Sequence, residues 1–165
     1  MDKNEFYQEL ENSLIALLSG EYDFIATLAN TSALLYERLD TVNWVGFYLV
    51  DDDTLVLGPF QGKNACVRIP LGKGVCGAAV KNKSIQRISD VHSFPGHIAC
   101  DAASNAEIVL PLEINGKIIG VLDIDSTVFG RFDENDENGL KALVIRLCEH
   151  LRQCVVSKYL QQNVT

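Results

Sequence analysis

Apolar positions recur at helical spacing at both ends of the chain and alternate in its middle, which predicts helices flanking a sheet. Phe6, Leu10, Leu14 and Leu17 fall on one face of a first helix, and Phe24, Leu28, Leu35 and Leu39 on one face of a second. Ser19-Gly20 separates them, and Asp23 is suited to cap the second. Residues 44–50 then alternate with period two, Val45, Phe47 and Leu49 against Trp44, Gly46 and Tyr48, as a strand does. The Asp51-Asp52-Asp53 turn leads to a strand near residues 55–60. A glycine-rich stretch (61–77), a short helix (75–82) and a short strand (85–88) follow. Strands at 107–114 and 117–126 precede a C-terminal helix over about 133–157. The pattern predicts an α+β fold, a mainly antiparallel sheet with terminal helices, in one domain over residues 1–165.

The last strand pair allows a finer reading. Ile108, Leu110, Leu112 and Ile114 alternate with Glu107, Val109, Pro111 and Glu113, while Ile118, Gly120, Leu122 and Ile124 alternate with Ile119, Val121, Asp123 and Asp125. Directly opposed residues in a ladder share a face, so the two apolar sets must meet. A two-residue Asn115-Gly116 turn pairs Ile114 with Lys117 and sets Asp123 beside Ile108, burying a charge on the apolar face. A three-residue loop, or a bulge near Pro111, shifts the pairing by one and brings Glu107 opposite Asp125. Hydrophobic patterning selects that register. Glu107, Asp123 and Asp125 then converge on a face made partly apolar by Val109, Val121 and Ile119. Two such charges about 4 Å apart repel by roughly 4 kcal/mol at an effective dielectric of about 20, which a cationic ligand or a shared proton relieves.

Charge and composition narrow the function. The net charge of −8 disfavours a nucleic-acid or anionic-membrane partner. No apolar run approaches the roughly 20 residues of a membrane helix, and the acidic start Met1-Asp2-Lys3-Asn4-Glu5 lacks the layout of a signal peptide. A cytoplasmic location is therefore expected, where five cysteines are not read as structural disulfides. Cys148 and Cys154 fall on the apolar seam of the last helix, as small hydrophobes. Cys66, Cys76 and Cys100 fall in Gly-rich or polar connections, where a thiol is more readily exposed and reactive. The polar loop 89–105 carries His92, His97 and Cys100, and its length of about 17 residues marks it as functional.

The runs Gly58-Pro59-Phe60-Gln61-Gly62, Ala65-Cys66, Gly72-Lys73-Gly74-Val75-Cys76-Gly77 and His97-Ile98-Ala99-Cys100-Asp101, with Glu107 and Asp123-Ile124-Asp125-Ser126, closely resemble the free methionine-(R)-sulfoxide reductases, which are stand-alone GAF domains. The resemblance runs over nearly the whole chain. It implies the GAF fold, with the terminal helices on one sheet face and loops and a short helix covering a pocket on the other. It implies Cys100 as the catalytic cysteine, Cys66 as its resolving partner through a disulfide, and Cys76 as an auxiliary cysteine. Glu107, Asp123 and Asp125 would hold the amine and sulfoxide of free methionine sulfoxide, with Trp44 and Tyr48 walling the methyl and thioether. Thioredoxin would reduce the disulfide, no bound cofactor would be needed, and the protein would be a homodimer. The strand pattern places Trp44 and Tyr48 on one face and the acids on another, and leaves open whether the two meet.

Two other readings compete. A non-catalytic, small-molecule-sensing GAF module is one, although an acidic pocket suits a nucleotide phosphate badly. A zinc site drawn from Cys66, Cys76, His92, His97 and Cys100 is the other, but these lack the close cysteine pairing of structural zinc sites, so no metal is expected.

Overall fold

The computed structural model describes residues 1–156. In chain order its elements are α1 (Lys3–Leu18), α2 (Phe24–Arg38), β1 (Val42–Asp51), β2 (Thr54–Gly62), β3 (Arg68–Pro70), α3 (Gly74–Asn82), β4 (Gln86–Ile88), β5 (Ala106–Ile114), β6 (Lys117–Ser126) and α4 (Glu134–Leu151), with a 3-10 turn at Val91–Ser93. The strands form one sheet, β3-β2-β1-β6-β5-β4, in which every neighbouring pair is antiparallel. The expected α+β arrangement is present. No helix among the described residues is long and apolar enough to cross a membrane.

The sheet divides two apolar clusters. Val45 and Phe47 on β1, Ile108, Leu110 and Leu112 on β5, and Leu122 and Ile124 on β6 face α1, α2 and α4. Trp44 and Tyr48, Val109 and Val121 face the opposite way, under α3 and the connecting segments. Helix starts follow local chemistry. The Asp23 side chain caps α2 by accepting from the Ala26 amide, and Asp133 and Asp136 form a reciprocal capping box on α4. Asp136 also takes the Tyr7 hydroxyl at 2.7 Å and the Lys3 ammonium at 2.7 Å, tying α1 to the start of α4.

Three expectations need correction. The buried face of α1 is Tyr7, Leu10, Leu14 and Leu18, whereas Leu17 is exposed, because the 3-4-4 spacing that starts at Tyr7 stays over the core. The last helix ends at Leu151 rather than near 157. Beyond it Val155 donates its amide to the Tyr22 carbonyl, and Phe24 donates to that of Val155, so Cys154 is off the helix seam; residue 157 lies outside the described residues. The stretch 61–77 also contains β3, whose pattern of one buried residue between two exposed ones gives periodicity nothing to count.

The β5–β6 register combines both options read from the sequence. Asn115 and Gly116, at φ 53° and 77°, make the two-residue turn with Ile114 opposite Lys117. The shift comes between Leu112 and Glu113: Glu113 pairs with Ile118 and Leu112 with Gly120, so Ile119 is the extra residue of a bulge. From there Glu107 lies opposite Asp125, as expected.

Candidate active site

On its other edge β6 pairs with β1, Trp44 against Asp125, Gly46 against Asp123 and Tyr48 against Val121. Rows across the three central strands therefore read Trp44–Asp125–Glu107, Gly46–Asp123–Val109 and Tyr48–Val121–Pro111. Opposed residues point the same way. The aromatic face and the acidic face are thus one face, the relation that strand patterns alone leave open.

Gly46 makes this packing possible. A Cβ there would stand 2.6 Å from the Trp44 ring and against Phe60 Cβ. Trp44 stacks between Phe60 and Tyr48, with ring centroids 5.3 and 5.9 Å away. Its indole N–H donates to the Lys63 carbonyl at 3.1 Å, and the Tyr48 hydroxyl donates to the Cys66 carbonyl at 2.8 Å. Both aromatic residues hold the cover segment that carries Cys66.

The cover has two parts. Cys66 and Cys100 are joined by a disulfide, with their Cα atoms 5.5 Å apart, so this is the oxidised form. Beneath it lies a cavity of about 40 Å³ lined by Trp44, Tyr48, Cys76, Cys100 and the three acids. That is room for a few water molecules. The start of α3 forms one wall, and Cys76 sits on that helix, buried, with its sulfur 4.0 Å from Glu107 Oε1. The expectation of an accessible Cys76 in a connecting segment is therefore corrected, because the apolar positions of α3 turn it inward.

Electrostatics follow from burial. Glu107 and Asp123 are each 6% exposed, and Asp125 is half-buried beside them. Desolvation, then the mutual repulsion of the acids, holds the carboxyls of Glu107 and Asp125 well above the usual carboxylate range; burial raises Asp123 too. Burial, then Asp123 and Glu107, pushes the Cys76 thiol well up. The Asp123 Oδ1 atom is buried with no hydrogen-bond partner among the described residues. Acids pushed toward their protonated forms by burial and mutual repulsion suit a cationic ligand, which relieves that repulsion, and a substrate that needs protonation.

The GAF domain family model matches residues 24–144. The chain is 69% identical over 147 residues to a protein of Escherichia coli K12 named free methionine-R-sulfoxide reductase, covering 89% of each. The chain belongs to the free methionine-R-sulfoxide reductase family of GAF domains. Among solved structures, the free methionine-R-sulfoxide reductase from Neisseria meningitidis in complex with its substrate superposes with a TM-score of 0.89 at 44% identity, covering 93% of this chain and 92% of that one. The substrate complex of the Staphylococcus aureus fRMsr gives 0.84 at 52%, covering 88% and 95%.

In this family member the sequence-derived residues Trp44, Tyr48, Cys66, Cys76, Cys100, Glu107, Asp123 and Asp125 stand at one place, seven of them on the cavity wall and Cys66 above it in the disulfide. The five-residue zinc set does not assemble: Cys66 and Cys100 bind each other, and His92 bonds Asn105 at 2.9 Å. Cys76 Sγ and oxygens of Glu107 and Asp123 do lie within 4.8 Å of one another, a spacing able to hold a metal ion. His97, read from the sequence as a loop residue and a member of that zinc set, lines the cavity with Nε2 3.9 Å from Glu107 Oε2; burial lowers its pKa. Asn43, Asp101 and Ser104 were also missed as site residues. Asp101, adjoining Cys100, was the available signal.

Proposed function

We propose that this protein reduces free methionine (R)-sulfoxide to methionine, with Cys100 as nucleophile and the Cys66–Cys100 disulfide as its oxidised product. The observation that carries this reading is a disulfide whose Cys100 lines the same small cavity as Glu107, Asp123 and Asp125, three clustered acids whose carboxyls are pushed above the usual carboxylate range. The ammonium of the free amino acid binds the acids, and Trp44 and Tyr48 wall its methyl and thioether. A neutral carboxyl of the cluster protonates the sulfoxide oxygen as Cys100 sulfur bonds to the sulfoxide sulfur. The hydroxyl then passes from that sulfur to Cys100 sulfur as the new S–S bond breaks, so methionine leaves with Cys100 as a sulfenic acid. The Cys66 thiol displaces that hydroxyl as water and forms the disulfide. Cys76 serves as an auxiliary thiol. Thioredoxin, in the cytoplasm, restores the two thiols, no bound cofactor takes part, and the protein works as a homodimer.

An NADPH-coupled thioredoxin assay tests the substrate assignment. Free methionine sulfoxide turns over, and acetylation of its amine lowers kcat/KM by about tenfold or more, the worth of a lost charge-assisted contact. Equal rates for free and peptide-bound sulfoxide would remove the role of the acids. Binding without turnover would instead mark a sensing module.

A further inference from the structure

β1 carries a bulge beside the site. Val42 pairs with Ser126 and Trp44 with Asp125, which are adjacent on β6, so Asn43 is the extra residue. Bulges re-aim side chains and are frequent next to active sites. Here the Asn43 amide reaches the segment that carries Cys100. Its Nδ2 donates to Asp101 Oδ2 and to Ser104 Oγ, each at 3.1 Å. Those two residues are the ends of one turn, in which Asp101 Oδ1 accepts the Ala103 amide at 2.9 Å and the Asp101 carbonyl accepts the Ser104 amide at 3.2 Å. The oxygen of the same side-chain amide, Asn43 Oδ1, is buried with no partner among the described residues. An unsatisfied buried acceptor is costly, and orienting both donors toward the Cys100 segment is what this arrangement gains.

The importance of the contact depends on redox state. In the oxidised form the disulfide itself ties Cys100 down. Reduction removes that tie. Among the described residues, Asn43 then makes the only side-chain hydrogen bonds between residues 97–104 and the sheet, since His97 stands 3.9 Å from Glu107.

We propose that Asn43 is a positioning residue, a latch that keeps Cys100 over the carboxylates and close to Cys66 in the reduced enzyme. The proposal rests on Cys100 being the nucleophile. Holding two reacting groups in place raises their effective concentration, both for attack on the sulfoxide and for closure of the disulfide.

Asn43→Ala therefore lowers kcat roughly tenfold with little change in KM, because the acids and aromatic walls remain. In equilibrium with a dithiol buffer, its Cys66–Cys100 disulfide is also roughly tenfold easier to reduce. A purely structural role would leave that thiol–disulfide equilibrium unchanged, and an unchanged equilibrium overturns the latch. Hydrogen exchange on the unmutated protein is independent of how the variant folds. The Ala103 and Ser104 amides stay protected after reduction if the latch holds, and exchange freely if it does not. Neither readout uses the substrate, so a lack of reductase activity would count against the proposed function and not against the latch.

Discussion

Glu107, Asp123 and Asp125 share a cavity whose basic side chain, His97, is itself held toward its neutral form by burial. Their raised folded-state pKa values fix the sign of their effect on stability. Below about pH 4 the carboxyls are protonated in folded and unfolded chains alike, and as the pH rises toward the raised values only the unfolded chain releases protons freely. Their contribution to stability is thus full in acid and lost through that window. Glu107→Gln should raise Tm near pH 7.5 by several degrees, at about 1.4 kcal/mol per pKa unit and about 2–4 °C per kcal/mol, with the gain vanishing toward pH 4. It should also cut activity by about a hundredfold or more if Glu107 supplies the proton. A matched pair of melting curves checks the sign. The same acids disfavour a thiolate beside them, and a bound ammonium offsets their charge. The thiolate absorbance of the reduced enzyme, titrated with and without methionine, should show a midpoint about one unit or more lower with ligand. An unchanged midpoint would break the link between substrate binding and thiol activation.

The strands place the residues, and two irregularities make that placement possible. The Ile119 bulge lets the Asn115-Gly116 turn and the acid register coexist. Gly116, at φ 77°, is there for its backbone conformation alone, since a Cβ added to it would meet nothing within 4 Å. Gly116→Ala should cost about 1 kcal/mol, lowering Tm by about 2–4 °C without loss of activity, since the hairpin tip is not on the cavity wall. Gly46 is the opposite case. Gly46→Ala would displace Trp44 and raise KM, which steady-state kinetics would register. Alternation in β5 and β6 made the acid register legible because Ile108, Leu110, Leu112, Leu122 and Ile124 are all buried on the helix-facing side. The meeting of acids and aromatic rings was not legible, because it depends on β1 pairing with β6, two strands far apart in the chain. The Asn43 bulge was equally hidden, as it exists only in that pairing. The end of α4 was overread because Cys154 and Val155 continue an apolar spacing while the Val155 backbone pairs with the segment at the start of α2.

As a whole the protein uses its sheet as a partition, with a helical core on one face and redox chemistry on the other. The Cys66–Cys100 bond spans 34 residues across the active face. Closing a loop of that length removes unfolded-state entropy worth about 3–4 kcal/mol. The oxidised protein should therefore melt several degrees above the reduced one, and equal melting temperatures would mean that reduction leaves compensating order. The family resemblance carried the Cys66–Cys100 pairing from sequence to structure, since spacing alone pairs no cysteines. The most direct test is a single turnover of fully reduced protein with resolved R and S epimers of free methionine sulfoxide, followed by mass mapping of the cysteines. The R epimer should yield one methionine and one Cys66–Cys100 disulfide per chain, the S epimer none, and Cys100→Ser none with either. Methionine formed without that disulfide, or formed equally by Cys100→Ser, would contradict it.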